Sequence, residues 1–408
     1  MTSHRAAVWA LVLAAGACLL SGPADAEASP PPSLLETSID QRGRVLVAVA
    51  GRDRGRPRIV RLGGTGQVDA SFAGGGTLRP RVDGSAAHFA FQRDGRILVA
   101  GGPRRGRAAM RRYRADGRPD RSFGTDGAVR LPVSGVEQLM VQPDGHIVVL
   151  ATISCSRNSC GFTVNHLVIL RYSARGRLIS QRIEYSELWS MDAADMEPSG
   201  RFVVSGSDWE LAYHSFARFL PSGVIDPTLG GWDGLDIPEG EGSGEEIVPN
   251  AAALEVQPDG KFVLSVKHSP ALMRRNRDGS LDTGFGEGGT VVCEAQPPKT
   301  YPPERLSLGA VVALPDNSLL VAGGAGPCGL ARYLPNGTLD RSFGDAGKVD
   351  VEAQGMARPR SMSVDAVGSL FLAGWDRSTQ SVEVARYSAS GQLDGGFGSA
   401  GFASFAAP

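Results

Sequence analysis

The feature that most constrains this chain is a turn pattern that recurs seven times along it. Each copy has an alternating apolar run, a turn with Asp-Gly or a variant, and a second, strongly apolar run. Successive turns are 52, 50, 55, 60, 57 and 51 residues apart. Regular repetition at this length indicates one repeat architecture rather than several unrelated domains. The turns lie at Arg42-Gly43, Asp94-Gly95, Asp144-Gly145, Ser199-Gly200, Asp259-Gly260, Asp316-Asn317 and Val367-Gly368.

The second half of each copy ends in a closing box of the form Leu-Asp-x-x-Phe-Gly, best seen at residues 339–344. The fourth copy has a degraded box with Leu229 in place of the Phe, and the third copy has lost it. We expect the Phe to be a wedge between neighbouring units. We also expect the aromatic residues of each third strand to lie in the core, namely Tyr113, Tyr172, Phe219, Tyr333 and Tyr387.

Short β-rich runs, such as residues 96–100 and 261–264, are bounded by turn residues, which is typical of strands. Asp-Gly and Asn-Gly between such runs are hairpin signals, because glycine accepts a positive φ. Each copy therefore predicts four antiparallel strands. Seven such units predict an all-β fold, a seven-bladed β-propeller of four-stranded antiparallel blades. The propeller spans residues 34–408, with blades beginning near residues 34, 85, 135, 187, 250, 307 and 358.

The repeated combination of Gln-Pro-Asp-Gly, an Ala-Arg-Tyr run and the closing box resembles the delta-60 repeat family of bacterial secreted proteins. Residues 142–145, 257–260 and 339–344 carry this resemblance best, and it extends over nearly the whole chain after residue 33. The resemblance implies an exported propeller of poorly defined function. It carries over no catalytic residue, because the family motif is structural.

Residues 1–26 read as an export signal, with His4 and Arg5 before an apolar run and an Ala-x-Ala cleavage site at its end. A competing interpretation is a lipobox with Cys18 as the lipidated residue, which would anchor the protein to a membrane. Residues 27–33, which contain three consecutive prolines, form a short stiff linker. Both interpretations predict a secreted or periplasmic protein, and the second makes it an outer-membrane lipoprotein.

Four cysteines follow the signal, and an even number in an exported chain suggests disulfides. Cys155 and Cys160 are close enough in sequence to close a small ring, which leaves Cys293 and Cys328 as the second pair. Three connectivities are open from the sequence. A zinc site is the weaker alternative, because C-x-x-C spacing and a clustered histidine are both missing.

The net charge of −1 conceals a polarised chain. Residues 33–130 contain 20 Arg and 9 acidic residues, whereas residues 131–408 contain 21 basic and 32 acidic residues. Two arginine clusters from blades 1 and 2 predict an anion patch for a phosphorylated or acidic cell-surface polymer, for a protein, or for a head-to-tail contact with a second copy of the chain. The alternative to an anion patch is that these arginines lie on solvated loops and form no binding site. Nucleic acid is not expected as a partner, and we expect a monomer. The patch consists of Arg52, Arg54, Arg56, Arg104, Arg105 and Arg107.

No motif for a catalytic site, a metal or a cofactor is recognisable, since the chain lacks G-x-S-x-G, H-E-x-x-H and calcium-loop patterns. The variable segments fall in the loops between second and third strands and between blades, where function usually lies. The sequence therefore favours a non-catalytic binding or scaffold module with its ligand on these loops. The alternative is an envelope hydrolase, or a lactonase- or dehydrogenase-like enzyme, with an axial site built from several blades.

Overall fold

The computed structural model describes residues 34–40, 42–50, 57–82, 87–102, 106–155, 164–184, 190–207, 214–229, 235–236, 251–266, 269–293, 308–323, 329–356, 359–376 and 379–406. These residues form seven four-stranded antiparallel sheets, each from four consecutive strands, and no helix. Each sheet is one blade, so the predicted seven-bladed propeller is confirmed.

The strands of a blade follow one another outward from the axis. The first strands are β1 (Leu34–Ile39), β5 (Ala87–Phe91), β9 (Gln138–Val141), β13 (Ser190–Met196), β17 (Ala251–Val256), β21 (Leu308–Ala313) and β25 (Pro359–Val364). The second strands are β2 (Val45–Ala50), β6 (Ile97–Gly101), β10 (Ile147–Cys155), β14 (Phe202–Ser207), β18 (Phe262–Val266), β22 (Leu319–Gly323) and β26 (Leu370–Asp376). The third strands are β3 (Arg58–Leu62), β7 (Ala109–Tyr113), β11 (Val164–Tyr172), β15 (His214–Phe219), β19 (Ala271–Arg275), β23 (Leu330–Tyr333) and β27 (Ser381–Tyr387). The outer strands are β4 (Thr77–Leu78), β8 (Ala128–Arg130), β12 (Leu178–Glu184), β16 (Leu235–Asp236), β20 (Thr290–Val292), β24 (Lys348–Val349) and β28 (Phe402–Ala406).

The first strands contact one another in chain order around the ring, and β25 of blade 7 returns to β1 of blade 1. Among the described strands, none is exchanged between the first and last blades. The ring is therefore closed by side-chain and backbone contacts between two complete blades.

The core is divided into seven clusters, each lying between two neighbouring blades. The five predicted third-strand aromatics all belong to it, with at most 4% of their surface exposed. Because every blade buries both of its faces, the strands of the second row are mainly apolar, as in the fully buried β6. A single blade has no core of its own and needs both neighbours.

Candidate functional site

The first turns and the third-to-fourth connections lie on one side of the ring, which we call the turn face. There, each complete closing box places its aspartate beside an arginine eight residues earlier. In blade 2, Arg112 Nε lies 2.9 Å from Asp120 Oδ2, with both side chains buried. Arg96, just after the first turn, places its Nε 3.1 Å from the same oxygen. Equivalent arginine–aspartate pairs are Arg61–Asp69, Arg218–Asp226, Arg274–Asp282, Arg332–Asp340 and Arg386–Asp394.

These aspartates are held in the ionised form. Burial opposes ionisation of Asp120, but hydrogen bonds from Ser122 and the charges of Arg112 and Arg96 lower its pKa to about 2. Carboxylates that accept hydrogen bonds and face cations favour the charged state. The pKa is lowered likewise at Asp69, Asp226, Asp282, Asp340 and Asp394.

The arginine of the pair also reaches the next blade. Arg61 Nη1 donates to the Ala115 carbonyl of blade 2 at 2.6 Å. In blade 7, Arg386 Nη1 donates to the Gly64 carbonyl of blade 1 at 2.6 Å, so the same contact closes the ring. We call this arrangement of arginine, aspartate and neighbouring carbonyl the clamp. Further clamps join Arg112 to Ala174, Arg218 to Arg277 and Arg274 to Pro335.

The Phe of the closing box completes the clamps of blades 1, 2, 5 and 7, whereas blade 4 has Leu229 at that position. The Arg112 guanidinium lies 4.6 Å from the centre of the fully buried Phe123 ring, within cation–π distance. Gly176 of blade 3 packs against that ring, and a Cβ there would lie 2.9 Å from it. The Gly124 N–H donates to the Arg175 carbonyl at 2.9 Å. The prediction that the Phe is a wedge between blades is confirmed.

Blade 3 uses a different link, because it has no closing box. Gln142 Nε2 donates to the Pro221 carbonyl of blade 4 at 2.8 Å and to the Gly200 carbonyl at 3.1 Å. Its Oε1 accepts from Arg171 Nε at 2.8 Å. Thus a glutamine in the first turn replaces the missing aspartate and reaches the carbonyl that a clamp would have used. The turn face is occupied by contacts that hold the blades together.

The first strands supply a second group of polar residues, around the axis. In each first strand, the residue three positions before the last one pairs with the fourth residue of the second strand. These seven residues form one layer around the axis. This layer is polar on blades 7, 1, 2 and 3 and carries alanine on blades 4, 5 and 6. Its members are Ser361, Glu36, His88, Gln138, Ala193, Ala253 and Ala310.

A second layer lies two residues further along the first strands, hence on the same side. It includes Asp195 and Glu255, which are half-buried like most of the wall. The Val256 N–H donates to Asp195 Oδ2 at 2.8 Å, and the Ala313 N–H donates to Glu255 Oε1 at 2.9 Å. Each carboxylate therefore binds the backbone of the next blade. We call the residues of both layers the channel wall.

The ionisable groups of the channel wall are shifted toward their neutral forms. Burial raises the pKa of Glu36 to about 8, and burial lowers the pKa of His88 to about 4 although a hydrogen bond at the Val136 backbone opposes the shift. Burial and then the charge of Asp195 raise the pKa of Glu255.

The sequence did not single out the channel wall. Its residues are isolated in the chain, and their only common signal is a fixed distance before the first turn of each blade. That signal becomes readable once the register of the inner strands is known.

Of the predicted anion patch, Arg107 is exposed between β6 and β7. Arg52, Arg54, Arg56, Arg104 and Arg105 lie outside the described residues, so the patch itself stays a prediction.

Among the predicted disulfide residues, Cys293 is 2% exposed and is disulfide-bonded. Cys155 ends β10, although its side chain is not described, and Cys160 and Cys328 lie outside the described residues. The predicted pairing is untested. Residues 1–33, with the predicted signal, Cys18 and the linker, also lie outside.

Within the described ranges, no group of three or more His, Cys, Asp or Glu side chains is placed to hold a metal ion. In the same part of the chain, no helix is long and apolar enough to cross a membrane.

Comparison with known proteins supports the repeat. A family model described as a domain of unknown function (DUF5122) beta-propeller matches residues 92–123 and 314–343. Each match runs from a first turn to the Phe of the closing box, in blades 2 and 6. No curated protein matches the chain.

Solved structures share the architecture at low sequence identity. A protein from Lactobacillus plantarum is 12% identical, with a TM-score of 0.52 over 88% of this chain and 95% of that one. A functionally unknown protein from Desulfotomaculum acetoxidans is 14% identical, with a TM-score of 0.51 over 86% of this chain and 96% of that one. A catalytically inactive virginiamycin B lyase from Staphylococcus aureus with quinupristin is 12% identical, with a TM-score of 0.43 over 74% and 83%. At these identities the likeness shows the fold alone.

Proposed function

We propose that the protein is an exported, non-catalytic binding or scaffold module at the cell envelope or outside the cell. Its partner binds the side opposite the turn face, which we call the loop face. This side carries the connections between second and third strands and between blades. The proposal rests on one observation, the contrast in connection length between the two faces.

On the turn face, the connection between first and second strands has five residues in all seven blades. The connection between third and fourth strands has 14 or 15 residues in every blade except blade 3, where it has five. On the loop face, the second-to-third connections have four to eight residues and the links between blades have five to 15. Constant lengths are what the clamps require, and variable loops on a rigid scaffold are where binding surfaces are usually built.

The chemistry proposed for the partner is anionic, either a protein or an acidic cell-surface polymer. Support comes from the arginine excess of residues 33–130 and from the exposed Arg107 on the loop face of blade 2. Arginine clusters suit carboxylates and phosphates because the guanidinium donates two parallel hydrogen bonds.

Heparin chromatography at low salt tests this surface. We expect the triple variant R104A/R105A/R107A to elute at lower salt than the natural protein. The matched control is R114A/R118A/R121A, which removes three exposed arginines of the same blade on the turn face. Equal losses in the two triples would mean that retention depends on net charge alone, and this would reject the patch. A pull-down from the native cell envelope with both triples would then identify the partner.

The alternative, an envelope hydrolase or a lactonase- or dehydrogenase-like enzyme, is favoured by one observation only. Glu36 and His88 occupy the same layer of the channel wall on adjacent blades, and both pKa values are shifted toward the neutral form. Perturbed groups of this kind are candidates for acid–base chemistry. Turnover of aryl esters or lactones that disappears in Glu36→Gln while the variant remains folded would favour the enzyme over the binding module.

A further inference from the structure

A cavity of about 660 Å³ opens on the turn face, where β25, β1 and β5 end. It therefore lies at one mouth of the axial channel, between blades 7, 1 and 2. Its wall is largely apolar and includes Ile39, Phe91 and Val364. Sites for small molecules commonly have about 300–1,000 Å³ and similar walls.

The cavity coincides with a local change in the repeat. The first turns of blades 3 to 6 carry proline at one position, at Pro143, Pro198, Pro258 and Pro315. The three blades around the cavity carry Gln41, Arg93 and Ala366 there instead.

The proline matters because it packs toward the next blade. Pro143 Cδ lies 3.4 Å from the position of a Cβ on Gly200 of blade 4. At Gly43 of blade 1, the equivalent glycine, none of the described residues lies within 4 Å of that position. The space that Pro143 fills between blades 3 and 4 is therefore open at the equivalent position of blade 1, beside the cavity.

An independent observation points to a ligand. Gln92 lines the cavity and is only 9% exposed, and its Oε1 has no hydrogen-bond partner among the described residues. The equivalent oxygen of Gln142 accepts from Arg171 Nε at 2.8 Å. The Oε1 of the equivalent Gln257 also has no partner among the described residues, but Gln257 does not line the cavity. Since buried polar atoms are nearly always paired, the Gln92 oxygen calls for a donor from within the cavity.

The two carboxylates of the rim are already engaged. Asp40 accepts hydrogen bonds from the backbone N–H groups of Arg42 and Arg44, at 2.9 and 3.0 Å. Asp365 accepts from the N–H groups of Val367 and Ser369, at 3.0 and 2.7 Å. This arrangement does not require a charged ligand. Val367 is itself 82% exposed and adds an apolar side chain to the rim.

We propose that this cavity binds a small uncharged molecule with an apolar ring and one hydrogen-bond donor, which donates to Gln92 Oε1. The site lies on the turn face, so it is separate from the binding surface proposed for the loop face. Failure of one proposal leaves the other intact.

Indole and N-methylindole are the probes, since they differ in the single N–H donor. We expect saturable binding of indole to the whole protein by calorimetry or by ligand-observed NMR. N-methylindole should bind roughly tenfold more weakly, as the loss of one hydrogen bond implies. In Gln92→Leu the two probes should bind equally, and thermal unfolding should show that this variant is folded.

The cavity itself is tested by Gly43→Asn, which places a side chain in the open space. The chain already has an asparagine at the equivalent position of blade 6, since Asn317 has a φ of 62°. Gly145→Asn is the matched control in blade 3, where the φ is +85° and the residue does not line the cavity. We expect Gly43→Asn to lose most of the indole binding and Gly145→Asn to retain it. The proposal is overturned if the natural protein does not bind indole saturably, if both asparagine variants bind alike, or if Gln92→Leu keeps the preference for indole.

Discussion

The clamps of the turn face and the channel wall use the same residue type in opposite ways. Asp120 of a clamp is buried beside Arg112 and Arg96, and its pKa is lowered to about 2. Glu255 of the channel wall has the charge of Asp195 near it instead, and its pKa is raised. Burial raises the pKa of a carboxyl in both places, so the sign of the shift is decided by the neighbours.

The difference separates two ways of joining blades. A clamp joins two blades through a charged arginine, a neighbouring carbonyl and a buried ring. A channel carboxylate joins two blades through one backbone N–H, with no cation among the influences on the pKa of Glu255. We therefore expect the clamps to contribute most to the stability of the ring and the channel wall to be the less optimised part.

The largest expected effect comes from removing the charge of a clamp aspartate. Asp120→Asn leaves Arg112 buried without its counter-ion, which should cost about 3–5 kcal/mol in the free energy of unfolding. Asp126→Asn is the control, because Asp126 and its partner Arg121 are 78% and 83% exposed. It should cost less than about 1 kcal/mol. Urea titration of both variants measures the difference, and equal losses would show that the clamp has no special role.

The closure of the ring is tested at a glycine. A Cβ on Gly66 would lie 2.5 Å from the Gly398 backbone nitrogen of blade 7, and its φ is +80°. Gly66→Ala should therefore cost about 2–5 kcal/mol, from backbone strain and overpacking together. Gly74→Ala, with a φ of +74° and no atom within 4 Å, should show the strain alone, about 1–2 kcal/mol. Similar unfolding midpoints for the two variants would mean that blades 7 and 1 are not tightly packed.

Blade 3 allows the clamp to be compared with its substitute. Gln142→Ala removes hydrogen bonds to the Pro221 and Gly200 carbonyls of blade 4 and should cost about 1–3 kcal/mol. Gln181→Ala, at an exposed position on β12 of the same blade, should change stability by less than about 0.5 kcal/mol. A loss in Gln142→Ala as large as that in Asp120→Asn would contradict the view that the substitute is weaker.

A pH dependence of opposite sign is expected in the two regions. The pKa of Asp120 is lowered to about 2, so its contribution is present above its usual pKa of about 3.9 and is lost as pH falls through 2. The pKa of Glu36 is raised to about 8, so its contribution is present below about 4.3 and is lost as pH rises through 8. Between pH 6 and 9, the temperature of thermal unfolding should therefore fall less steeply with rising pH in Glu36→Gln than in the natural protein. If the unfolding temperature has the same slope against pH in both proteins, the pKa of Glu36 is not raised and its carboxyl group is in contact with solvent.

The repeat itself made most of the fold predictable. The seven turns, the strand number per blade and the buried positions of Phe123 and Tyr172 all follow from patterns that recur in the sequence. The sequence also indicated that blade 3 lacks a closing box, and the structure shows Gln142 in its place. What the repeat could not reveal are single positions such as Glu36 and His88. Each occurs once in its surroundings, and only the register of the inner strands relates it to the equivalent residue of the next blade.

The sequence by itself determined the number of blades, the hairpins and the residues that the clamps need, because local turn chemistry and the alternation of apolar residues act over short distances. Only the tertiary structure decided which carboxylates are ionised, because the sign of a pKa shift depends on burial and on the charged groups that other strands or other blades bring close. The tertiary structure also decided where a cavity remains between the blades. The cavity beside Gln92 exists because three turns, far apart in sequence, meet at one mouth of the channel without the proline that their counterparts carry.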